Sequence, residues 1–551
     1  AWAMDEFSGA ALGDPRLTKR LIRLVDDLSA EPTKSIPLAC GGLAETKAAY
    51  RLLDNEAVDW RAVLAAHGEP TVARMGREDR VLCLQDTTEL DFTSQPGIAG
   101  LGRLSYERQH GMYLHPTLAV SESGVALGVL DAWMWTRKPK GETDITESRR
   151  WTEGYERIAE LAERLPHTRL VYVADRESDL RELLDRAAEL GYPADVLLRA
   201  KHDRILAEGG KLRAEVARQG VLGEVEFAMP AARGRTARTV VQTVRAARVT
   251  LARHAGKTCE VTVILAREEA PPAGEKPVEW LLLTNEPVTT LDDAVLRIGW
   301  YRRRWLAEIF FRILKSGCRV EALQLATVER LERALVIYLV IAWRILYLIT
   351  LGRDGPDLPC EVAFTAEEWR AAWLMAKHQP PPAAPPTLGE MMRLVAGFGG
   401  FLGRKGDGHP GPKALWEGIQ KVYAFAIGIA WAATTIAASG MIRPGVTSRC
   451  SAIASRVSHR ARTAPRACRP RTRCTPDVRR HASIRGGGWK PRRCSNSWRA
   501  HSSLPAATSS ARSRARSSAS TSTSRAAYSS HSSGSGRVDQ STAACCLACR
   551  A

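Results

Sequence analysis

Two short apolar runs, each followed directly by an aspartate, constrain the fold of this chain more than any other feature. The first run covers residues 81–85 and precedes Asp86, and the second covers residues 170–174 and precedes Asp175. Apolar runs of this length are typical of strands buried on both faces of a sheet. In open α/β sheets, functional groups gather at the carboxyl ends of such strands. The sequence therefore predicts an α/β fold with two carboxylates at one edge of a buried sheet.

A third group of polar residues lies on a helix predicted to run from residue 291 to about residue 316. At about 100° per residue, Tyr301, Arg304, Glu308 and Lys315 share a stripe roughly 60° wide. A stripe of this composition is not an apolar core face. It is either an ordinary solvated face with ion pairs or one wall of a polar site.

The three carboxylates together favour the second interpretation. Asp86, Asp175 and Glu308 offer only oxygen ligands, with no neighbouring His or Cys, and this is the donor set of Mg²⁺ or Mn²⁺. Two such ions about 4 Å apart promote an in-line displacement at phosphorus. The arginine and the lysine of the helical stripe would then hold phosphates beside the scissile bond, and the tyrosine would hydrogen-bond to one of them.

The formal net charge of +19 is concentrated in the carboxy-terminal tail. Residues 441–551 contain 22 Lys and Arg against two acidic residues, whereas residues 1–440 are close to neutral. The tail is rich in Arg, Ser and Ala without apolar periodicity, which predicts disorder. Its preference for Arg over Lys and its lack of Glu fit GC-rich DNA read in a shifted frame. A functional basic DNA-binding arm is the alternative.

Two apolar stretches are long enough to be weighed as membrane spans. Residues 334–349 are interrupted by Arg344, and residues 422–442 are only weakly apolar, so buried helices are favoured for both. The start of the chain lacks the apolar core of a secretory signal, and the cysteines before residue 441 are isolated. We therefore expect a cytoplasmic protein without a membrane partner.

Together these motifs resemble the DDE transposases of the insertion-sequence-four family, which includes the transposase of transposon five. The resemblance rests on Asp86-Thr87-Thr88, on Asp175-Arg176-Glu177-Ser178-Asp179 and on the spacing Tyr301-x2-Arg304-x3-Glu308-x6-Lys315. Further matches over about residues 5–430 are Ser35-Ile36-Pro37-Leu38-Ala39-Cys40, Trp280-Leu281-Leu282-Leu283-Thr284 and Gly403-Arg404-Lys405-Gly406-Asp407-Gly408. Each motif alone is a weak signal, but the combination is specific.

The resemblance implies a ribonuclease-H-like catalytic core with a β-rich insertion, flanked by an amino-terminal helical DNA-binding domain and a carboxy-terminal helical region, and followed by a disordered basic tail. The predicted boundaries are 1–70 for the end-binding domain, 71–200 for the first part of the core, 201–290 for the insertion, 291–350 for the second part of the core, 351–440 for the dimerisation region and 441–551 for the tail.

The resemblance also assigns roles to single residues. It implies that Asp86, Asp175 and Glu308 are catalytic and hold two Mg²⁺ or Mn²⁺ ions. It implies that Tyr301, Arg304 and Lys315 bind DNA phosphates. Trp280 would stack on a flipped base, although a tryptophan in an apolar strand is as often a core residue.

The expected function is cut-and-paste transposition by hydrolysis and strand transfer at the ends of the element. The expected partners are double-stranded DNA, as transposon ends and as target, and a second copy of the chain in a synaptic complex. The expected location is the bacterial cytoplasm, on the nucleoid when DNA is bound. Two alternatives remain: a catalytically or assembly-defective relative that only binds the ends, and a nuclease of the same fold without strand transfer.

Overall fold

The structure is a computed structural model and describes residues 2–138, 147–229 and 237–438. The tail from residue 441, predicted to be disordered, lies outside these ranges.

The helices are α1 Trp2–Phe7, α2 Pro15–Ala30, α3 Ile36–Cys40, α4 Leu43–Leu53, α5 Trp60–Met75, α6 Arg149–Glu163, α7 Arg181–Glu189, α8 Leu212–Arg218, α9 Leu291–Arg303, α10 Trp305–Arg312, α11 Val328–Asp354, α12 Ala366–Lys377, α13 Leu388–Phe398 and α14 Pro412–Ala438. Residues 2–426 belong to one compact unit, and α14 from Ile427 belongs to a second.

The strands form one mixed sheet. They are β1 Arg80–Gln85, β2 Thr88–Asp91, β3 Gly102–Arg103, β4 His110–Ser121, β5 Ala126–Trp135, β6 Arg169–Ala174, β7 Asp195–Arg199, β8 Gly223–Met229, β9 Arg238–His254, β10 Lys257–Arg267 and β11 Glu279–Thr284. The main path is β2-β4-β1-β6-β7-β11-β10-β9-β8, and β3 and β5 also pair with β4.

The catalytic core expected from the sequence is present in this sheet. Strands β5, β4 and β1 pair in antiparallel order, and β6 and β7 then add in parallel. The resulting order, β5-β4-β1-β6-β7, is that of a ribonuclease-H-like sheet. Residues 81–84 and 170–174 are buried, as their apolar character predicts.

The β-rich segment after β7 extends this sheet. Strand β11 pairs antiparallel with β7 at Leu283 and Leu198, and β10, β9 and β8 follow outward. Backbone hydrogen bonds therefore run from the core strands into the insertion without interruption. The sequence predicted the strands of the insertion but gave no sign that they continue the core sheet.

Helix α11 is the central helix of the core. Among the described residues it alone is long and apolar enough to cross a membrane, and 83% of its most apolar window is buried inside the protein. Its Trp343 donates a hydrogen bond to the carbonyl of Ala126 on β5. These contacts are those of a core helix, as predicted for residues 334–349. The second apolar stretch, residues 422–442, runs beyond the described part of the chain.

Helices α1 to α5 form the helical amino-terminal region. The apolar face predicted for α2 is buried, with Leu21, Leu24, Val25 and Leu28 almost inaccessible to solvent. Asp14 caps this helix by accepting a hydrogen bond from the backbone N–H of Arg16. The exposed face keeps basic side chains, including Arg16 and Arg23.

The helical segment after residue 291 differs from the prediction of one regular helix. Helix α9 ends at Arg303, where the N–H of Arg304 bonds to the carbonyl of Tyr301, three residues back, and α10 starts at Trp305. A π-helical turn, Ile313–Gly317, then follows, with the Cys318 N–H bonded to the Ile313 carbonyl five residues back. Each change of pitch rotates the side chains after it, so a uniform 100° step does not describe their directions.

Candidate active site

The two aspartates predicted at the sheet edge lie on neighbouring parallel strands. In the register of β1 and β6, Gln85 is opposite Ala174, so Asp86 and Asp175 follow at the same level. The Asp86 carboxylate accepts a hydrogen bond of 2.9 Å from the N–H of Thr87, and the Asp175 carboxylate accepts one of 2.8 Å from the N–H of Glu177. Each carboxylate is thus oriented by its own loop.

Asp86 has a strongly raised pKa. Burial, with the charges of Asp175 and Glu308, raises the pKa of Asp86 to about 7, against the opposing effect of the Arg304 guanidinium. Asp86 and Glu308 both lie beside Arg304, and Asp175 follows the neighbouring strand at the level of Asp86. Paired carboxylates that raise a pKa in this way are common at functional sites.

Arg304 lies between two of the carboxylates. One of its terminal nitrogens donates a hydrogen bond to Asp86 Oδ2, and the other lies 3.7 Å from Glu308 Oε1. Glu308 is on α10, one turn after Arg304, and its side chain is 45% exposed. Arg304 therefore partly neutralises the charges of Asp86 and Glu308.

The donor set fits a hard divalent cation, although its side chains are not arranged as a cage. Within the described ranges, no three His, Cys, Asp or Glu side chains are positioned to hold a metal ion. At this site the Arg304 guanidinium contacts Asp86. The excess of negative charge and the exclusively oxygen donors are the properties that Mg²⁺ and Mn²⁺ require.

The other predicted site residues lie in varied surroundings. Tyr301 is buried near the end of α9. Lys315, in the π-helical turn, lies 3.6 Å from Glu321. Trp280 is partly buried, and its ring stacks on Phe227 at a centroid separation of 5.6 Å.

Strand direction nevertheless brings Trp280 to the edge where the aspartates lie. Strand β11 runs antiparallel to β7, with Leu283 opposite Leu198, and Leu198 is in turn opposite Ala174 of β6. Three residues before Leu283, Trp280 is displaced towards the carboxyl ends of β6 and β7. It lies two strands from β6.

A buried polar network beneath the aspartates was not anticipated from the sequence. It joins Thr87, His115 and Arg150, with Gln85 and Glu177 at its ends. Thr87 and Glu177 belong to recognised motifs. Arg150 and His115 carry no local signal, because their partners are distant in the chain.

Comparison with known families assigns most of the described chain. Residues 1–58 match the transposase DNA-binding family, residues 152–344 match the transposase DDE domain, and residues 340–439 match the dimerisation domain of the Tn5 transposase. Asp175 and Glu308 lie inside the DDE match, whereas Asp86 lies before it.

A structural comparison finds the piggyBac transposase in a synaptic complex with hairpin DNA, with 8% identity, a TM-score of 0.32, and coverage of 64% of this chain and 72% of that chain. The three family matches, in the order of the chain, identify a metal-dependent enzyme that binds DNA and dimerises. The chain thus belongs to the DDE transposases of the Tn5 type.

Proposed function

We propose that Asp86, Asp175 and Glu308 are the catalytic carboxylates of this transposase and that they hold two divalent cations. The observation that carries the proposal is the parallel register of β1 and β6, which ends both strands on a carboxylate at the same level. When bound, the cations supply Lewis acidity at the phosphate. Asp86 and Asp175 contribute ligands from the sheet edge, and Glu308 contributes one from α10.

The reaction that we propose for this site has four steps. First, a water oxygen attacks the phosphorus at a transposon end, and the 3′ oxygen of the element leaves and takes up a proton. Second, that 3′-OH attacks the phosphodiester of the opposite strand and closes a hairpin on the end, and the 3′ oxygen of the flanking DNA leaves. Third, water opens the hairpin and restores the 3′-OH. Fourth, this 3′-OH attacks a phosphodiester of target DNA, and the target's own 3′ oxygen is the leaving group. The three carboxylates would hold the ions, which would supply Lewis acidity at the reacting phosphate.

Binding of the ends is assigned to the amino-terminal helices and to basic groups beside the site. The candidates on the amino-terminal helices are Lys19 and Arg20 of α2, and the candidates beside the site are Arg302 and Arg303. Local basic groups of this kind are needed because residues 1–440 have little net charge to attract DNA. The boundaries at residues 70, 200, 290, 350 and 440 belong to the same proposal. A dimer joins two ends in the bacterial cytoplasm, and target DNA enters afterwards.

A plasmid assay tests the function. Supercoiled DNA carrying two copies of the cognate end is incubated with the protein, Mg²⁺ and a second plasmid as target. Excision and joining are expected to occur together. Excision without joining would indicate a nuclease of this fold, and binding without cutting would indicate an end-binding relative.

The proposed phosphate role of Arg304 requires it to leave Asp86. We expect Arg304→Gln to bind Mn²⁺ about tenfold more tightly in the absence of DNA, because a cation next to the carboxylates is removed. We also expect the logarithmic salt dependence of end binding to fall by about one phosphate contact, about equally for different end sequences. Titration by electron paramagnetic resonance and mobility shifts at several salt concentrations measure the two effects.

Two further variants are compared with Arg304→Gln. Arg312→Gln, on the same helix, is the control for Mn²⁺ affinity. Lys315→Gln should flatten the salt dependence without changing Mn²⁺ affinity, because its partner is Glu321. Unchanged Mn²⁺ affinity in Arg304→Gln would contradict the proposed exchange, and a loss confined to one end sequence would indicate base reading instead of phosphate binding.

The proposed stacking role of Trp280 is tested separately. Trp280→Ala should slow hairpin formation at the end roughly 10-fold, since stacking of one base on an aromatic ring contributes about 1–3 kcal/mol. The first nick should be little affected. Single-turnover gels resolve both steps. Phe227→Leu, which removes the stacking partner but keeps the indole, is the control, and equal slowing of nicking and hairpin formation in Trp280→Ala would argue for a purely structural role.

A further inference from the structure

Arg150 connects the two loops that carry Asp86 and Asp175. It lies in the first turn of α6, and its side chain is only 9% exposed. Its Nε donates to Thr87 Oγ1 at 3.2 Å, and one terminal nitrogen donates to Glu177 Oε2 at 2.9 Å. Thr87 follows Asp86 directly, and Glu177 follows Asp175 by two residues. One guanidinium therefore links both strand ends.

The connection continues from Thr87 through further hydrogen-bonded side chains. The Thr87 hydroxyl oxygen accepts from Arg150, because a guanidinium only donates, and the same oxygen lies 2.9 Å from His115 Nδ1. His115 Nε2 then donates to Gln85 Oε1 at 3.2 Å, and Gln85 Nε2 donates to Thr117 at 2.8 Å. Burial and the nearby charge of Arg150 hold the pKa of His115 well below its ordinary value, so the imidazole is neutral.

Aromatic rings fix the orientation of the guanidinium. It lies 5.3 Å from the ring centre of Trp135 and 5.1 Å from that of Trp151. Another terminal nitrogen donates to the backbone carbonyl of Glu147. A buried guanidinium with two aromatic neighbours and three acceptors has little freedom to rotate.

The contacts of Arg150 are more numerous and more specific than an ion pair alone requires. Glu177, the ionic partner of Arg150, is 60% exposed, and an exposed partner contributes little to stability. Arg157 on the same helix also has an acidic partner, Asp131, and an aromatic neighbour, Trp133, but it contacts neither loop. The contacts to Thr87 and Glu177 thus distinguish Arg150 from an ordinary ion pair.

We propose that Arg150 is a positioning residue that sets the separation and direction of the Asp86 and Asp175 carboxylates. This inference rests on the proposed function of these aspartates as metal ligands. Ligand sets tolerate displacements of only about half an ångström, so the residues that hold them are part of the site. Arg150 itself contacts neither the phosphate nor the ions.

Arg150→Gln tests the proposal, with Arg157→Gln as the matched control. We expect the Mn²⁺ dissociation constant of the DNA-free protein to rise about 10-fold to 100-fold in Arg150→Gln. The Mg²⁺ concentration that gives half-maximal cleavage should rise with it. Mobility shifts with the cognate end should change by less than about twofold. A purely structural loss would reduce the amount of active protein without changing the half-maximal Mg²⁺ concentration.

Two more variants keep the outcome decisive if Arg150→Gln does not fold. Glu177→Gln changes an exposed side chain and removes only the link to the Asp175 loop, so a smaller rise in the Mn²⁺ dissociation constant is expected. Arg150→Lys keeps the charge but cannot reach both Thr87 and Glu177, so it should restore only part of the affinity. Unchanged Mn²⁺ binding in folded Arg150→Gln and in Glu177→Gln, or full recovery in Arg150→Lys, would overturn the proposal.

If the proposed metal-binding function itself is wrong, the same Mn²⁺ titrations give a different result. If wild-type protein has no Mn²⁺ site that Asp86→Asn removes, the metal assignment itself is wrong, whatever Arg150 does. If that site exists and the Arg150 variants match the wild type, only the positioning role is refuted.

Discussion

Replacing Asp86 or Asp175 with Asn is expected to reduce cleavage of transposon ends by roughly 10³-fold or more while leaving end binding intact. Each change removes a proposed metal ligand, bound metal ions stabilise transition-state charge by several kcal/mol, and about 1.4 kcal/mol corresponds to tenfold in rate. The amide is almost the same size as the carboxylate, so packing at the ends of β1 and β6 is preserved. Single-turnover cleavage and mobility shifts measure the two properties.

Asp131→Asn is the matched control for these variants. Asp131 lies on β5 and pairs with Arg157, so its loss removes an aspartate from the same sheet at a distance from the proposed site. Cleavage by this variant should remain close to the wild-type rate. Loss of end binding in Asp86→Asn, or cleavage that survives in both site variants, would contradict the assignment of the catalytic carboxylates.

The second large effect is expected in stability, at the junction between α1 and the catalytic sheet. Arg74 on α5 donates to both carboxylate oxygens of Glu6, at 2.8 and 3.2 Å, and its guanidinium lies over the ring of Trp343. His67 lies on the other side of this carboxylate. Its Nε2 accepts the N–H of Val129 on β5, so its Nδ1 donates to Glu6 at 2.6 Å.

Arg74→Gln should reduce the free energy of unfolding by about 3 kcal/mol, because it leaves the buried Glu6 carboxylate without its main cation. Urea denaturation at pH 7 measures the loss. Adding Glu6→Gln should restore part of the stability. Arg164→Gln, which removes only an exposed pair with Glu69 of α5, should cost less than about 1 kcal/mol. A loss in Arg74→Gln no larger than in this control would refute the importance of the buried pair.

The same cluster predicts the direction of a pH effect. Burial favours the protonated form of Glu6, but His67 and Arg74 outweigh it and hold the pKa of Glu6 below the ordinary glutamate value. The folded state therefore binds this proton less tightly than the unfolded chain. Its contribution to stability is complete above the ordinary pKa of glutamate and is lost as the pH falls through the lowered value. In Glu6→Gln this part of the acid sensitivity should disappear.

The features predicted correctly from the sequence depend on local patterns. The apolar runs before Asp86 and Asp175 are buried strands because their residues suit no other environment in a soluble protein. Likewise, the apolar face of α2 follows from its helical periodicity. Asp86 and Asp175 lie at the same level because of the register between β1 and β6. The motifs predicted that the two aspartates converge, through the family resemblance.

The features that escaped prediction depend on contacts between distant residues. Nothing near Arg150 indicates that its side chain reaches loops 63 and 27 residues away. The contact of Arg304 with Asp86 spans 218 residues, and it makes a predicted phosphate ligand the partner of a proposed catalytic carboxylate. The helix break at Arg304 has no glycine or proline to announce it.

The continuity of the sheet from β6 through β7 to β11 sets the spacing between two residues proposed to act on DNA, Asp175 and Trp280. Neighbouring strands are about 4.8 Å apart, so the two steps from Asp175 to the strand of Trp280 span roughly 10 Å. Bases along one DNA strand are spaced about 3.4 Å apart, and the same span covers about three of them. Backbone hydrogen bonds tie β6 to β7 and β7 to β11, so the sheet holds this spacing between the strands constant. The spacing is set by the number of strands, so side-chain substitutions leave it unchanged.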